Sequence, residues 1–359
     1  MPKIQRSNRR SDLGLTPLQK LTVINSYSVP PQLDLTLEQA VENVDNIMYE
    51  QNQAFHKEND KKMKGKTIIK TAAFLGLIFT LLFISCANTT YIEKNYSTNI
   101  KKLKDCKPYT TESVSFEFKD LVDQNQAAVI REYFKQNAGL DLDALATSSK
   151  TTWEKAVELA CFVAKNIPHD NQKEPIDERS AISLWEYSRR VTTGFNCRWH
   201  SILLSELMLS VGIKNCFVSC MPEDKEDSDC HVVNLVWLPE LNKWAMIDSD
   251  MLEYVTDHNG TPLSLQEMRE SIIQDKTLYI KVLPGFENSW VAQKNGLKYM
   301  QAYWAKNLYW FCVHTTYGFG LEGKKTLSDS YVALVPPGYD CSYTSLDEVT
   351  SNASAFWGR

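Results

Sequence analysis

The chain has 359 residues, 43% of them hydrophobic and 23% charged, with a formal net charge of −5. That is long enough for two domains and ordinary for a globular protein. It contains no basic stripe, RNA-binding motif or glycine-rich phosphate loop, so nothing points to nucleic acid as a partner.

Residues 1–62 are polar, with Pro30-Pro31 in the middle, a lysine-rich end and one periodic piece over 37–53, and are expected to form no core of their own. From Met63 the pattern changes. Lys64 and Lys66 open a basic region, Thr71 to Ile84 is uncharged and apolar, and Phe83-Ile84-Ser85-Cys86 closes the run. Read from Met63, residues 63–85 have the n-, h- and c-region order of a signal peptide and resemble a bacterial lipoprotein signal, with Cys86 as the acylated residue. On that reading Met63 is the initiator and 1–62 a gene-start artefact. The alternative starts at Met1: residues 71–92 carry no charge and are long enough to span a bilayer. Lys61, Lys62, Lys64, Lys66 and Lys70 would then hold its N-terminal side in the cytoplasm. Either way residues 93–359 are expected outside the cytoplasm, in the cell envelope and anchored to a membrane.

Residues 86–107 are polar and lysine-rich and read as a tether. In the domain expected over 108–285, Val114, Phe116 and Phe118 alternate as a strand, and 121–136 reads as a helix. A helix over 153–167 shows Trp153, Ala156, Val157, Ala160, Val163 and Ile167 on one face and Pro168 as its stop. Another helical piece lies over 177–190, with Arg189 and Arg190 on a solvated face.

The stretch from Gly194 to Ile213, GFNCRWHSILLSELMLSVGI, is the one around which the remaining chain is organised. Leu203, Leu204, Leu207, Met208 and Val211 recur at helical spacing. Gly194 and Asn196 are breaker and cap residues that place Cys197 in the first turn, and Gly212 reads as the stop. The positive end of the helix dipole there favours a thiolate. After a strand at Cys216–Met221 and an acidic loop at 222–229, HVVNLVWL alternates as a half-buried strand headed by His231. The turn Pro239 to Lys243 leads to a neighbouring strand with Asp248 near its end. Cys197, His231 and Asp248 are thus the parts of a triad in which histidine takes the thiol proton and aspartate holds the ring. Asp250 shares the face of Asp248 but lies nearer the strand end, where solvation is expected.

This run resembles the core of the transglutaminase-like superfamily, a branch of the papain-like fold. Cys197, His200, Ser201, Gly212 and Ile213 match its nucleophile pattern, His231 its strand-heading histidine, and Trp244, Ile247 and Asp248 its W-x-x-[Ile or Leu]-Asp signature. The likeness covers roughly residues 150 to 255. Val233 and Ser249 depart from it, since relatives often carry an aromatic residue at the first position and Pro or Thr at the second. The resemblance implies an α+β fold, a papain-like core with the cysteine helix packed on an antiparallel sheet.

Leu263 to Ile273 reads as a helix. Tyr299, Tyr303, Trp304, Tyr309, Trp310 and Phe311 then crowd together, ahead of a strand over 331–335 and the stop Pro336-Pro337-Gly338, so 286–359 is expected as a small aromatic-rich extension docked on the core. Of the nine cysteines, Cys161 reads as a core residue, and Cys220 and Cys230 could bridge the acidic loop. A zinc site from Cys216, Cys220, Cys230 and His231 is disfavoured, because four residues on a strand span roughly 13 Å. His200 could approach Cys197; His169, His258 and His314 carry no motif.

The expected function is an exported, membrane-anchored, thiol-dependent acyl-transfer enzyme acting on amide bonds of peptides, protein glutamines or cell-wall material, without a cofactor. The alternative is a catalytically silent, surface-anchored binding module of the same fold.

Overall fold

A computed structural model of the chain describes residues 95–110, 118–170, 178–322, 331–341 and 348–358. The signal or membrane segment, Cys86 and the strand expected at Val114 and Phe116 lie outside the described residues. Among the described residues no helix is long and apolar enough to cross a membrane.

The fold is mixed α+β. Helices α1 (Gln124–Ala138), α2 (Leu142–Thr147), α3 (Thr152–Asn166), α4 (Ala181–Arg190) and α5 (Cys197–Ser210) precede most of the strands. Strands β2 (Asn215–Met221), β3 (His231–Leu238), β4 (Lys243–Asp248), β5 (Glu253–Thr256) and β6 (Tyr279–Val282) come next, with α6 (Leu265–Ile273) between the last two. Helix α7 (Lys294–Asn307), strands β7 (Trp310–His314), β9 (Tyr331–Leu334) and β10 (Glu348–Thr350), and helix α8 (Ala353–Trp357) complete the main body. A short parallel pair joins β1 (Lys119–Leu121) to β8 (Thr316–Gly318). The main sheet runs β10-β9-β7-β2-β3-β4-β5-β6 and is antiparallel except for β9 beside β10.

The caps written into the sequence set several helix starts. Thr151 and Glu154 form a reciprocal capping box on α3, as Ser264 and Glu267 do on α6, each satisfying amides that the first turn leaves open. Helix α1 ends at Gly139, whose φ of 66° suits glycine.

Both faces of the sheet are covered, and strand alternation sorts the side chains between them. Val232, Val236, Ala245 and Ile247 pack with Leu203, Leu204, Leu207 and Met208 of α5 and with α1, α3 and α4. Val233, Leu235, Trp244 and Met246 face the other way, onto Met268 of α6 and Met300 and Trp304 of α7. Covering both faces explains why β2 is buried at every position instead of alternating with solvent. Each fully buried leucine of α5 contributes about 1.5–3 kcal/mol of transfer free energy, enough in sum to hold the helix flat on the sheet.

Two segments sit differently from their sequence-based placement. Residues 95–105, expected within a tether, form a helix with Leu103 buried and Tyr96 and Ile100 packed on the same core. Their i, i+4, i+7 stripe lies among lysines that mask it in composition. The aromatic segment expected as an extension places α7 on the sheet and pairs β7 with β2, with Phe311 opposite Cys220. Its rings are buried because they fill the layer beside Val218 and Val233.

Candidate functional site

Cys197 is the first residue of α5. The Asn196 side chain accepts from the Trp199 amide at 3.0 Å and its carbonyl from the His200 amide at 3.0 Å, which fixes the helix start one residue before the thiol. The approach is fixed too: Phe195 donates to the Pro168 carbonyl (3.0 Å) and accepts from the Asp170 amide (2.7 Å). Gly194 lies so close to this segment that a Cβ would collide with that of Asp170 and come within 3.0 Å of the Pro168 oxygen. Only glycine permits this approach, and it brings His169 beside the start of the helix.

Two polar cross-links hold β3 against α5. The Ser201 hydroxyl donates to the Val232 carbonyl (2.9 Å), and the Asn234 amide donates to the Ser201 carbonyl (2.9 Å). They set the height of His231, the first residue of β3, relative to Cys197. His231 Nε2 lies 2.6 Å from Asp248 Oδ2, and both side chains are buried. Asp248 Oδ1 accepts from the amides of Asp250 (2.9 Å) and Met251 (3.0 Å), so the turn after β4 fixes the carboxylate. His231 Nδ1 is buried without a hydrogen-bond partner among the described residues. With Asp248 accepting at Nε2, the proton sits on that nitrogen and the Nδ1 lone pair is exposed to the site. Burial pushes the His231 pKa down, but the charge and hydrogen bond of Asp248, with Asp250 and Asp229 behind it, raise it above the ordinary imidazole value.

Sequence position placed Asp250 in solvent. The structure buries it, at 4% exposure. Its two oxygens lie 2.9 and 3.0 Å from His169 Nδ1, and Oδ1 is 3.5 Å from His200 Nε2. Burial would raise its pKa; the His169 and His200 charges and the His169 hydrogen bond lower it instead. Burial pushes His200 down, only partly offset by Asp250. One ligand atom each from Cys197, His231 and Asp250 lies within 4.8 Å of the others. No local motif marks His169 or Asp250, because their proximity arises from the pairing of 168–170 with 194–195.

The site is closed. Cys197 is 3% exposed and His231 1%. Tyr303 and Trp304 of α7 lie edge-on to the His231 ring, with centroids 5.3 and 5.6 Å away. The Tyr303 hydroxyl is 3.1 Å from both Asp229 Oδ1 and the Cys230 carbonyl, and Tyr299 stacks on its ring. Trp304 Nε1 donates to Glu253 Oε1 at 2.6 Å. Burial, then the nearby Asp248 charge, raises the Glu253 pKa well above the usual carboxyl value and keeps it neutral.

No family model matches the chain. Neither does any curated protein sequence. Among solved structures, a "Putative Cysteine Protease from Cytophaga hutchinsonii" is similar over 43% of this chain at 12% identity, with a TM-score of 0.26. The match spans 48% of that protein's chain, about half its length. A likeness this distant carries no argument about reaction or substrate.

The cysteines depart from expectation in one respect. Cys106, Cys161, Cys197, Cys216, Cys220, Cys230, Cys312 and Cys341, the cysteines among the described residues, form no disulfide with one another, so Cys220 and Cys230 do not bridge the acidic loop. They sit on adjoining buried backbone, Cys220 directly opposite His231 in the sheet. The acidic loop is engaged by α7: Lys306 pairs with Asp227 (3.1 Å) and Asp229.

Proposed function

We propose that this protein is a thiol-dependent acyl-transfer enzyme with a papain-like, transglutaminase-like core, in which Cys197 attacks an amide carbonyl. The observation that carries this reading is His231, buried between the thiol and Asp248, with Nε2 committed to the carboxylate and Nδ1 left as a base. His231 Nδ1 takes the thiol proton, and the resulting imidazolium is stabilised by Asp248. Sulfur adds to the carbonyl carbon, the leaving amine takes the proton from His231, and water or a second amine then cleaves the thioester. The start of α5 presents amide donors and the positive dipole end to the developing oxyanion. Peptides, protein glutamines and cell-wall amides are the substrate classes, and export with anchoring through Cys86 or the 71–92 segment belongs to the same reading.

One observation favours the second reading, a silent binding module: the thiol is sealed beneath Tyr303. Chemistry separates the two. Iodoacetamide at mildly acidic pH should modify Cys197 ahead of Cys161 and Cys216, and His231→Ala should slow it. Equal labelling of all three would remove the activated nucleophile and leave the binding module. Growth with labelled fatty acid should tag the wild type but not Cys86→Ser.

A further inference from the structure

The acyl-transfer chemistry uses Asp248 and leaves Asp250 without a role, yet it is the Asp250 carboxylate that groups with the Cys197 sulfur and the His231 ring within 4.8 Å. A thiolate and a carboxylate held this close in a buried space repel one another. A dication between them would remove the repulsion. The donors are thiolate, imidazole and carboxylate, a zinc set and a poor one for magnesium or calcium, which take oxygen ligands.

The surroundings fit a metal as well as the donors do. A ligating histidine requires a lone pair on the nitrogen facing the ion and a carboxylate behind the other. His231 has both, with Asp248 at 2.6 Å from Nε2 and Nδ1 buried without a partner. The ligating carboxylate is backed in the same way, since His169 Nδ1 holds Asp250 at 2.9 and 3.0 Å. Tetrahedral zinc with bonds of about 2.0–2.3 Å sets its ligand atoms about 3.3–3.7 Å apart, so a contraction of roughly 1 Å completes the site.

We propose that Cys197, His231 and Asp250 bind one zinc ion, with an open fourth position, and that the bound ion holds the thiol unreactive. On binding, the Cys197 S–H bond breaks, sulfur keeps the electron pair for the metal and the proton leaves to solvent; no oxidant or reductant is involved. The silencing rests on the acyl-transfer reading, whereas the binding does not.

The full chain, stripped with a chelator, should take up one equivalent of zinc chloride in competition with a fluorescent zinc indicator, and magnesium chloride should not displace it. Cobalt in place of zinc should give a thiolate-to-metal charge-transfer absorption that Cys197→Ser abolishes. Asp250→Asn should weaken zinc binding by at least about tenfold. Saturating zinc should protect Cys197 of the wild type from iodoacetamide, a readout that needs no variant to fold. Absent uptake, absent cobalt–thiolate absorption in the wild type, or affinity unchanged in both variants would overturn the proposal. A stripped protein whose Cys197 alkylates rapidly yet takes no zinc keeps the enzyme and removes the metal; zinc bound through Cys197 in a protein that never acylates keeps the metal and removes the enzyme.

Discussion

Tyr303 lies edge-on against His231, ring centroids 5.3 Å apart, and closes the thiol site from the side of α7. The closure is tied down by charge, because Lys306 on the same helix pairs with Asp227 and Asp229 of the acidic loop. Burial alone would depress the Lys306 pKa, but the two aspartates raise it and keep the ammonium charged. Removing the cation leaves the carboxylates facing an apolar helix.

Lys306→Met should therefore open the site more often. If it weakens the closed arrangement by about 1.4 kcal/mol, the open fraction and the rate of Cys197 alkylation rise about tenfold. Alkylation at the wild-type rate, with α7 loosened by hydrogen exchange, would show that Tyr303 does not control access.

Asp248 and Asp250 should respond differently to amide substitution. Asp248→Asn keeps the shape but favours the wrong His231 tautomer, so acyl-enzyme formation should fall on the order of a hundredfold or more. Position in the sequence alone puts Asp250→Asn below about threefold; burial against His169 and His200 raises the expected loss to about tenfold, as one charge anchors two imidazoles. Pre-steady-state acylation of both variants ranks them, and a larger loss at Asp250 would make it the residue that orients the base.

Much of this site was legible because its signals are local. Asn196 caps α5, leucines at helical spacing bury it, and alternation in β3 and β4 puts His231 and Asp248 where their side chains meet. His169 and Asp250 had no such signal: one comes just after a helix stop and the other sits in a turn, and they meet only because Gly194 admits the 168–170 segment. Strand β7 was masked for a related reason. Buried on both faces, Trp310–His314 has no polar alternation, so its aromatics read as a cluster and not as a strand beside β2. The helix at 95–105 was hidden by its lysines, which snorkel away from Leu103.

A buried ion pair beside the nucleophile is open to direct measurement. Arg198 Nε donates to Glu322 Oε2 at 2.8 Å and Nη2 to Oε1, with His314 Nε2 at 3.2 Å. Burial raises the Glu322 carboxyl, but the Arg198 charge and the hydrogen bonds from His314 and Arg198 drive it far below the usual range. Glu322→Gln leaves Arg198 buried without a counter-charge and should cost about 3–5 kcal/mol. The double variant Arg198→Met/Glu322→Leu should cost less than the sum of its singles, read from urea midpoints at constant m. Additive losses would mean that the pair is not coupled.

Glu206 should give the fold a pH dependence of a stated sign. It lies buried on α5, with Oε2 accepting from the Ala181 amide (2.6 Å) and Oε1 from the Gly320 amide (2.7 Å). Burial pushes its pKa up from 4.5 to about 7, against the pull of those two amides. Between those values the folded chain holds a proton that the unfolded chain has released, so the favourable contribution is full below about pH 4.5 and is lost as pH rises through about 7. A shift of this size corresponds to roughly 3 kcal/mol. Glu206→Gln fixes the neutral state, keeps one amide bond and turns its NH2 toward the other amide, so at pH 5 it should be less stable than wild type by about 1–3 kcal/mol. Because the variant cannot ionise, that gap should narrow or reverse by pH 8. Urea denaturation of both proteins from pH 5 to 8 isolates the effect, since all other titrating groups are shared. Parallel stability curves would mean that Glu206 is already ionised in the folded protein at pH 5.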